Sequence, residues 1–188
     1  GPVVLNNVTV TTGRLDVSAA GALTVAGSNF TAADSLTMTA TGASANGSLL
    51  STLNTNFTAG GALQLAGTST DTGVGLMLLD GSALSGSTVT LTGQSTGGPG
   101  VWFNSSAGNH TVQATSDALS ITGRAVSTSG VRITGGWQLG SGTTLLVDSS
   151  DAFALETDTG GTLPRFLTGT DTTFRLTPSS PLSLDAST

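Results

Sequence analysis

The chain has 188 residues and a formal net charge of −6, with 37% hydrophobic residues, 9% charged residues and 27 glycines. Disordered chains usually combine low hydrophobicity with high net charge, so a mean hydropathy of +0.22 favours a folded domain. The five cationic side chains are all arginines and form no basic stripe, which argues against nucleic acid as a partner. The longest apolar run, residues 74–79, is too short to cross a membrane, so we expect no membrane span.

The two ends of the chain differ from its middle. Gly1 and Pro2 resemble a residue pair left by tag cleavage, so we set them apart from the fold. Residues 3–188 suit a single domain by their length. Because proline cannot donate to a β-ladder, the segment 178–188, which contains Pro178 and Pro181, is predicted to be an irregular tail or cap over one end of the fold.

Between these ends, short apolar alternations return in a constant order. One series has spacings of 27, 26, 30, 26 and 29 residues. Its members are Leu36–Met38, Leu63–Leu65, Val89–Leu91, Leu119–Ile121, Leu145–Val147 and Phe174–Leu176. A second series, out of phase with the first, is Leu23–Val25, Leu50, Leu76–Leu78, Val101–Phe103, Val131–Ile133 and Phe153–Leu155. A third is Phe30, Phe57, Leu84, Val112, Trp137 or Leu139, and Phe166.

This repetition predicts an all-β fold, a parallel β-solenoid. An apolar-x-apolar triplet puts two side chains on one face of a strand, and a single strand cannot bury that face. Stacked turns supply the missing neighbours, because each strand pairs in parallel with its equivalent one coil away. Three series predict three strands per coil, with 26–30 residues per coil and about seven coils.

The register is clearest between residues 29–38 and residues 56–65, which share their first four residues at an offset of 27. Asn29 and Asn56 are therefore expected to stack at a corner, where asparagine tolerates left-handed backbone and can hydrogen-bond along the ladder. Ala83 takes the equivalent position in the next coil and ends the stack.

The sequence offers little for catalysis. Five aspartates fall mainly at predicted corners, where aspartate is common, and do not converge on one groove: Asp16, Asp34, Asp71, Asp80 and Asp117. His110 is the only histidine and lies in a predicted loop, without the positioned acid and nucleophile that a triad needs. No calcium-binding repeat is present. We therefore expect no enzymatic activity, no bound metal and no cofactor.

Asparagine occurs mostly in one tripeptide. Six of the eight asparagines begin an Asn-x-Ser/Thr sequence and are candidate glycosylation sites, against the plainer interpretation of asparagine at turns. They are Asn7, Asn29, Asn46, Asn56, Asn104 and Asn109.

One candidate binding surface follows from strand alternation. If Val101 and Phe103 point inward, Trp102 points outward, and the same alternation exposes Met77 in the preceding coil and Arg132 in the following one. Because neighbouring coils are ~4.8 Å apart, the guanidinium of Arg132 can lie against the Trp102 ring. Met77, Trp102 and Arg132 are thus the candidate surface for a sugar ring or a receptor strand, unless a local loop covers Trp102.

Two stretches carry a family resemblance. Residues 89–101 (VTLTGQSTGGPGV) and 119–131 (LSITGRAVSTSGV) resemble the repeats of filamentous-haemagglutinin-like bacterial exoproteins, which include two-partner secretion adhesins and the sticks of contact-dependent inhibition; autotransporter passengers are similar. The resemblance covers roughly residues 15–147. It implies a right-handed parallel β-helix, export through an outer-membrane transporter, and a secreted or bacterial cell-surface location.

Three function classes remain. The first is a structural and adhesive segment of a large surface exoprotein, with a host- or target-cell receptor, a glycan or an exopolysaccharide as partner. The second is an ice-binding solenoid, which needs a flat Thr-x-Thr array. Thr37 and Thr39 offer one rank and Thr90 and Thr92 another, but Gln64 and Ala66 interrupt the array. The third is a polysaccharide lyase or hydrolase, weakened by the dispersed carboxylates.

Overall fold

A computed structural model describes most of the first 134 residues and the strands beyond them. The described residues are 1–52, 54–105, 110–116, 118–126, 128–134, 137–139, 144–149, 153–156, 166–168, 173–176 and 182–184. For residue 118, and for the strands beyond residue 134 apart from Asp148, only the backbone is described.

The described residues form twenty β-strands and no helix. The first ten are β1 (Val3–Asn6), β2 (Thr9–Ala19), β3 (Leu23–Ala26), β4 (Asn29–Thr41), β5 (Gly47–Thr52), β6 (Asn56–Ala59), β7 (Ala62–Ser69), β8 (Val74–Leu79), β9 (Ala83–Gly86) and β10 (Thr88–Ser95). The next ten are β11 (Val101–Asn104), β12 (His110–Ala114), β13 (Ala118–Ala125), β14 (Val131–Thr134), β15 (Trp137–Leu139), β16 (Thr144–Ser149), β17 (Phe153–Glu156), β18 (Phe166–Thr168), β19 (Thr173–Leu176) and β20 (Leu182–Leu184). The predicted all-β class is confirmed.

The strands form two parallel sheets that stack as a β-solenoid. The eight-stranded sheet has the order β1-β3-β5-β8-β11-β14-β17-β20. The twelve-stranded sheet has the order β18-β15-β12-β9-β6-β4-β7-β10-β13-β16-β19, with β2 paired to β4. The long strand β4 belongs to both arms of this sheet, because its first half pairs with β6 and its second half with β7. Over residues 1–105, in which only residue 53 is not described, the solenoid makes about four turns.

The predicted C-terminal tail overlaps one of these strands. β20 lies within the segment 178–188 and pairs with β17. Residues 178–181 and 185–188 lie outside the described part of the chain.

The apolar series form the core in the predicted register. Leu65, Leu91 and Ile121 are partners in adjacent strands, and each is completely buried. Phe30 pairs with Phe57, and their rings stack with centroids 5.7 Å apart. The inward positions of successive coils thus form a continuous column, which confirms that the repeat encodes stacking.

A second column, made of hydroxyl side chains, lies at the corner where the chain passes from the eight-stranded to the twelve-stranded sheet. Ser28, Thr55 and Ser82 are buried there at equivalent places, each just before a strand of the twelve-stranded sheet. Each hydroxyl donates a hydrogen bond to a nearby main-chain carbonyl: Ser28 to Ala26 at 2.8 Å, Thr55 to Thr52 at 2.6 Å, and Ser82 to Leu79 at 3.1 Å. Buried polar groups at this corner are therefore satisfied locally.

Glycines let the two sheets approach each other closely at another corner. Gly67, Gly93 and Gly123 are partners in β7, β10 and β13. A methyl group at Gly93 would overlap the main-chain oxygen of Gly100, and one at Gly123 would overlap that of Gly130. Only glycine fits where backbone meets backbone in this way.

Candidate functional site

Strand alternation in β11 places Trp102 on the outer face of the eight-stranded sheet. Val101 and Phe103 are completely buried, whereas Trp102 is partly exposed. The residues on either side of the tryptophan therefore belong to the core, and the indole lies outside it. The predicted orientation of this strand is confirmed.

The register brings the three predicted residues side by side. Trp102 is the partner of Met77 in β8 and of Arg132 in β14. The guanidinium carbon of Arg132 lies 4.4 Å from the centroid of the Trp102 ring, a cation–π contact worth about 0.5–1 kcal/mol at an exposed site. We call Met77, Trp102 and Arg132 the Trp102 patch.

Met77 differs from its expectation, because it is buried, with 8% of its surface exposed. Its exposure was predicted from alternation alone, and alternation does set its direction. The outer face of the sheet is apolar here, however, so Leu50, Val74 and Met77 form a small cluster against which Leu79 and Trp102 pack. Met77 is therefore the supporting floor of the patch, and its accessible part is centred on Trp102 and Arg132.

The indole is fixed on more than one side. Its Nε1–H donates a hydrogen bond to the Thr134 hydroxyl at 3.1 Å. Arg132 lies over the ring, and the apolar cluster around Met77 packs against it. A partner would thus meet a preorganised aromatic surface beside a guanidinium group, without ordering the tryptophan first. This arrangement suits the face of a sugar ring or an extended peptide carrying an acceptor for arginine.

The candidate glycosylation sites have different surroundings. Asn29 and Asn56 are exposed partners in β4 and β6, as expected, at one edge of a groove of about 310 Å³. Their backbone is extended, so the expected left-handed conformation is wrong for both. Asn7 is exposed and does have left-handed backbone, with φ of 53°. The other three are Asn46, which is exposed, Asn104, which is partly buried, and Asn109, which lies outside the described residues.

The Thr-x-Thr ranks form an interrupted array, as the sequence indicated. One column of partners contains Thr37, Gln64, Thr90 and Ser120. The adjacent column contains Thr39, Ala66, Thr92 and Thr122. Threonine pairs thus alternate with an amide and a methyl group on this face.

The described carboxylates lie at separate places. Asp16 forms an exposed ion pair with Arg14, with Nε and Oδ2 2.7 Å apart. Asp80 occupies a turn with φ of 25°, and Asp117 lies outside the described residues. Among the described residues, no group of three histidine or carboxylate side chains could hold a metal ion. No helix in the described part of the chain is long and apolar enough to span a bilayer.

Asp71 has a structural place in its turn. Its carboxylate accepts hydrogen bonds from the Gly73 N–H at 3.0 Å, the Ser69 hydroxyl at 2.8 Å and the Ser44 N–H at 3.4 Å. These bonds, led by that of Gly73, lower the pKa of Asp71, and the effect of burial in the opposite direction is smaller than theirs. Because Ser44 belongs to the preceding coil, Asp71 ties two turns together.

His110 departs most from the sequence analysis, which placed it in a loop. It is the first residue of β12 and is completely buried. The available signal was alternation, because His110, Val112 and Ala114 all face inward in this strand. The preceding residues 106–109 lie outside the described part of the chain, and their Gly-Asn composition concealed the start of the strand.

Comparisons with known proteins give this chain no relative, since no family model, curated protein or solved structure matches it.

Proposed function

We propose that the chain is a structural and adhesive segment of a large secreted bacterial surface protein, with the solenoid as a spacer and the Trp102 patch as the contact with a receptor or glycan. The observation that carries the proposal is the uninterrupted parallel ladder of the eight-stranded sheet, from β1 to β20. Such a ladder keeps one cross-section along its length, so it can extend a display surface by adding coils.

We further infer the finer architecture: a right-handed solenoid with three strands per coil and about seven coils of 26–30 residues. The order of the strands supports it, since β5, β8 and β11 of the smaller sheet are each followed by two strands of the larger one. Right-handed crossovers are strongly preferred between parallel strands of one sheet. Secretion, export through an outer-membrane transporter and a place on the bacterial surface are proposed from the resemblance of residues 89–101 and 119–131.

The Trp102 patch supports adhesion through its chemistry. Trp102 presents a partly exposed aromatic surface next to the positive charge of Arg132, and Met77 holds it from below. Tryptophan and arginine are enriched among the residues that dominate binding energy at interfaces. The proposed partner is therefore a cell-surface receptor or a glycan with an oxygen acceptor near its apolar face.

The test is Trp102→Ala, with Thr24→Ala as a matched control on the outer face of the same sheet, two strands before β8. Binding is measured on a glycan array and on target cells, and folding by circular dichroism and denaturant unfolding. We expect Trp102→Ala to weaken binding at least tenfold, about 1.4 kcal/mol, while the fold is retained. Thr24→Ala should bind like the parent chain.

The neighbouring core residue provides the opposite result. Phe103→Ala should lower the free energy of unfolding by about 3–5 kcal/mol, since Phe103 is completely buried. The adhesive proposal is wrong if Trp102→Ala binds every target as the parent chain does. Thermal hysteresis, or turnover on a panel of polysaccharides, would favour the ice-binding or enzymatic class; we expect neither.

A further inference from the structure

His110 continues the corner column of Ser28, Thr55 and Ser82 into the next coil. Thr111 is the partner of Ala83, so the residue before each strand, His110 and Ser82, occupies the same place. The ladder agrees, because the Thr111 N–H donates to the Ser82 carbonyl, as the Ala83 N–H donates to that of Thr55. An imidazole thus stands where three successive coils have a hydroxyl.

The imidazole lacks the hydrogen bond that those hydroxyls make. Within the described part of the chain, neither Nδ1 nor Nε2 of His110 has a hydrogen-bond partner, although both are buried. The ring packs edge-on against Phe103, with centroids 5.5 Å apart and planes at 76°. The nearby carbonyl of Asn104 already accepts the Asp80 N–H at 3.2 Å. The surroundings therefore suit a neutral ring and offer little to a charged one.

The electrostatics of the corner agree with its geometry. Burial lowers the pKa of His110 from 6.5 to about 4; the negative charge of Asp80 and the main chain of Asn104 act in the opposite direction and do not offset it. Asp80, from the turn after β8, is the charged group of the described residues that acts on this ring; from β11 it meets Phe103 and Asn104, which carry no charge.

We propose that His110 is an acid-sensitive latch at the corner between β11 and β12: protonation of the buried, unpartnered imidazole opens this corner and exposes the core around Phe103. Above pH 6.5 the ring is neutral in the folded and unfolded states, so the corner is fully stable. As the pH falls from 6.5 towards 4, the unfolded or opened state gains a proton that the closed state resists, and stability is lost.

The opening should stay local. Coils of a solenoid contact only their neighbours, so distant coils keep their ladders when one corner opens. Since Phe103 and Trp102 are adjacent in β11, acid opening would also disturb the outer face that carries Trp102. The latch itself does not depend on the proposed adhesive function, and its tests measure no binding.

The first test is a titration of the imidazole by nuclear magnetic resonance. His110 is the only histidine, so its ring signals are unambiguous in the whole chain. We expect a titration midpoint near 4, accompanied by new signals from an opened state. A midpoint near 6.5 in a chain whose other signals are unchanged would overturn the proposal, because the charged ring would then be tolerated in the closed corner.

The second test is hydrogen exchange of His110→Ser, which restores the hydroxyl of the column, against the parent chain. Every carboxylate is the same in both chains, so their difference reports on the histidine alone. Between pH 7.5 and 4, the opening equilibrium of β11 and β12 should rise about a hundredfold more in the parent than in the variant. The distant strand β3 should behave identically in both chains.

His110→Gln is a second variant, with a side chain that fills more of the ring's space and does not titrate. Should His110→Ser fail to fold, the same comparison is made with His110→Gln. Equal acid opening of β11 and β12 in the parent and the non-titrating variant would refute the latch and assign the pH dependence to carboxylates.

Discussion

Replacing Leu91 by alanine tests the stacking that organises the whole chain. Leu91 lies in β10, between Leu65 of β7 and Ile121 of β13, and all three side chains are completely buried. If equivalent residues of successive coils form one column, the substitution opens a cavity with apolar neighbours above and below it. If they do not, the side chain can be lost at little cost.

The magnitude follows from the atoms removed. Leucine to alanine deletes three carbon groups, and burial is worth ~0.8 kcal/mol for each, which gives about 2.4 kcal/mol. A residual cavity adds to this term, and main-chain hydrogen bonds to both neighbouring strands limit how far the site can collapse. We expect a loss of about 3–4 kcal/mol, within the usual range of ~2–5 kcal/mol for buried leucine.

The assay is equilibrium unfolding in urea, with the midpoint and the slope compared between variants. The matched control is Thr90→Ala in the same strand, whose partly exposed side chain points outward between Gln64 and Ser120. It should change the free energy of unfolding by less than about 1 kcal/mol. A loss below about 0.5 kcal/mol for Leu91→Ala, or one equal to that of Thr90→Ala, would refute the stacked register.

Two further substitutions test the close approach of the sheets and the tie between coils. Gly93→Ala should destabilise the fold by about 3 kcal/mol or more in the same urea assay, because its methyl group would overlap the Gly100 carbonyl, whereas Gly13→Ala, which meets only one atom at 3.7 Å, should be nearly neutral. Asp71→Asn should lower stability at pH 7; because its pKa is lowered in the folded state, the parent chain should lose this advantage as the pH falls through that pKa, and melting curves from pH 7 to 3 should converge. Melting curves that stay equally separated at every pH would contradict that role of the carboxylate.

The sequence by itself determined the parallel stacking. Apolar residues at Leu65, Leu91 and Ile121 return at a nearly constant interval, and a strand that buries one face must find an equivalent strand to cover it. The same alternation predicted that Phe103 is buried and that Trp102 points outward beside Arg132. Period and alternation are local properties, so they can be read without coordinates.

Only the tertiary structure decided how deeply each outward or turn-like residue is covered. Met77 has the predicted direction but is buried, because Leu50 and Val74 from other parts of the repeat make the outer face apolar at that point. His110 follows a stretch typical of a loop, yet it is buried because its coil places it directly above Ser82 in the corner column. Burial depends on neighbours that are 27 or more residues away along the chain, and local composition carries no information about them.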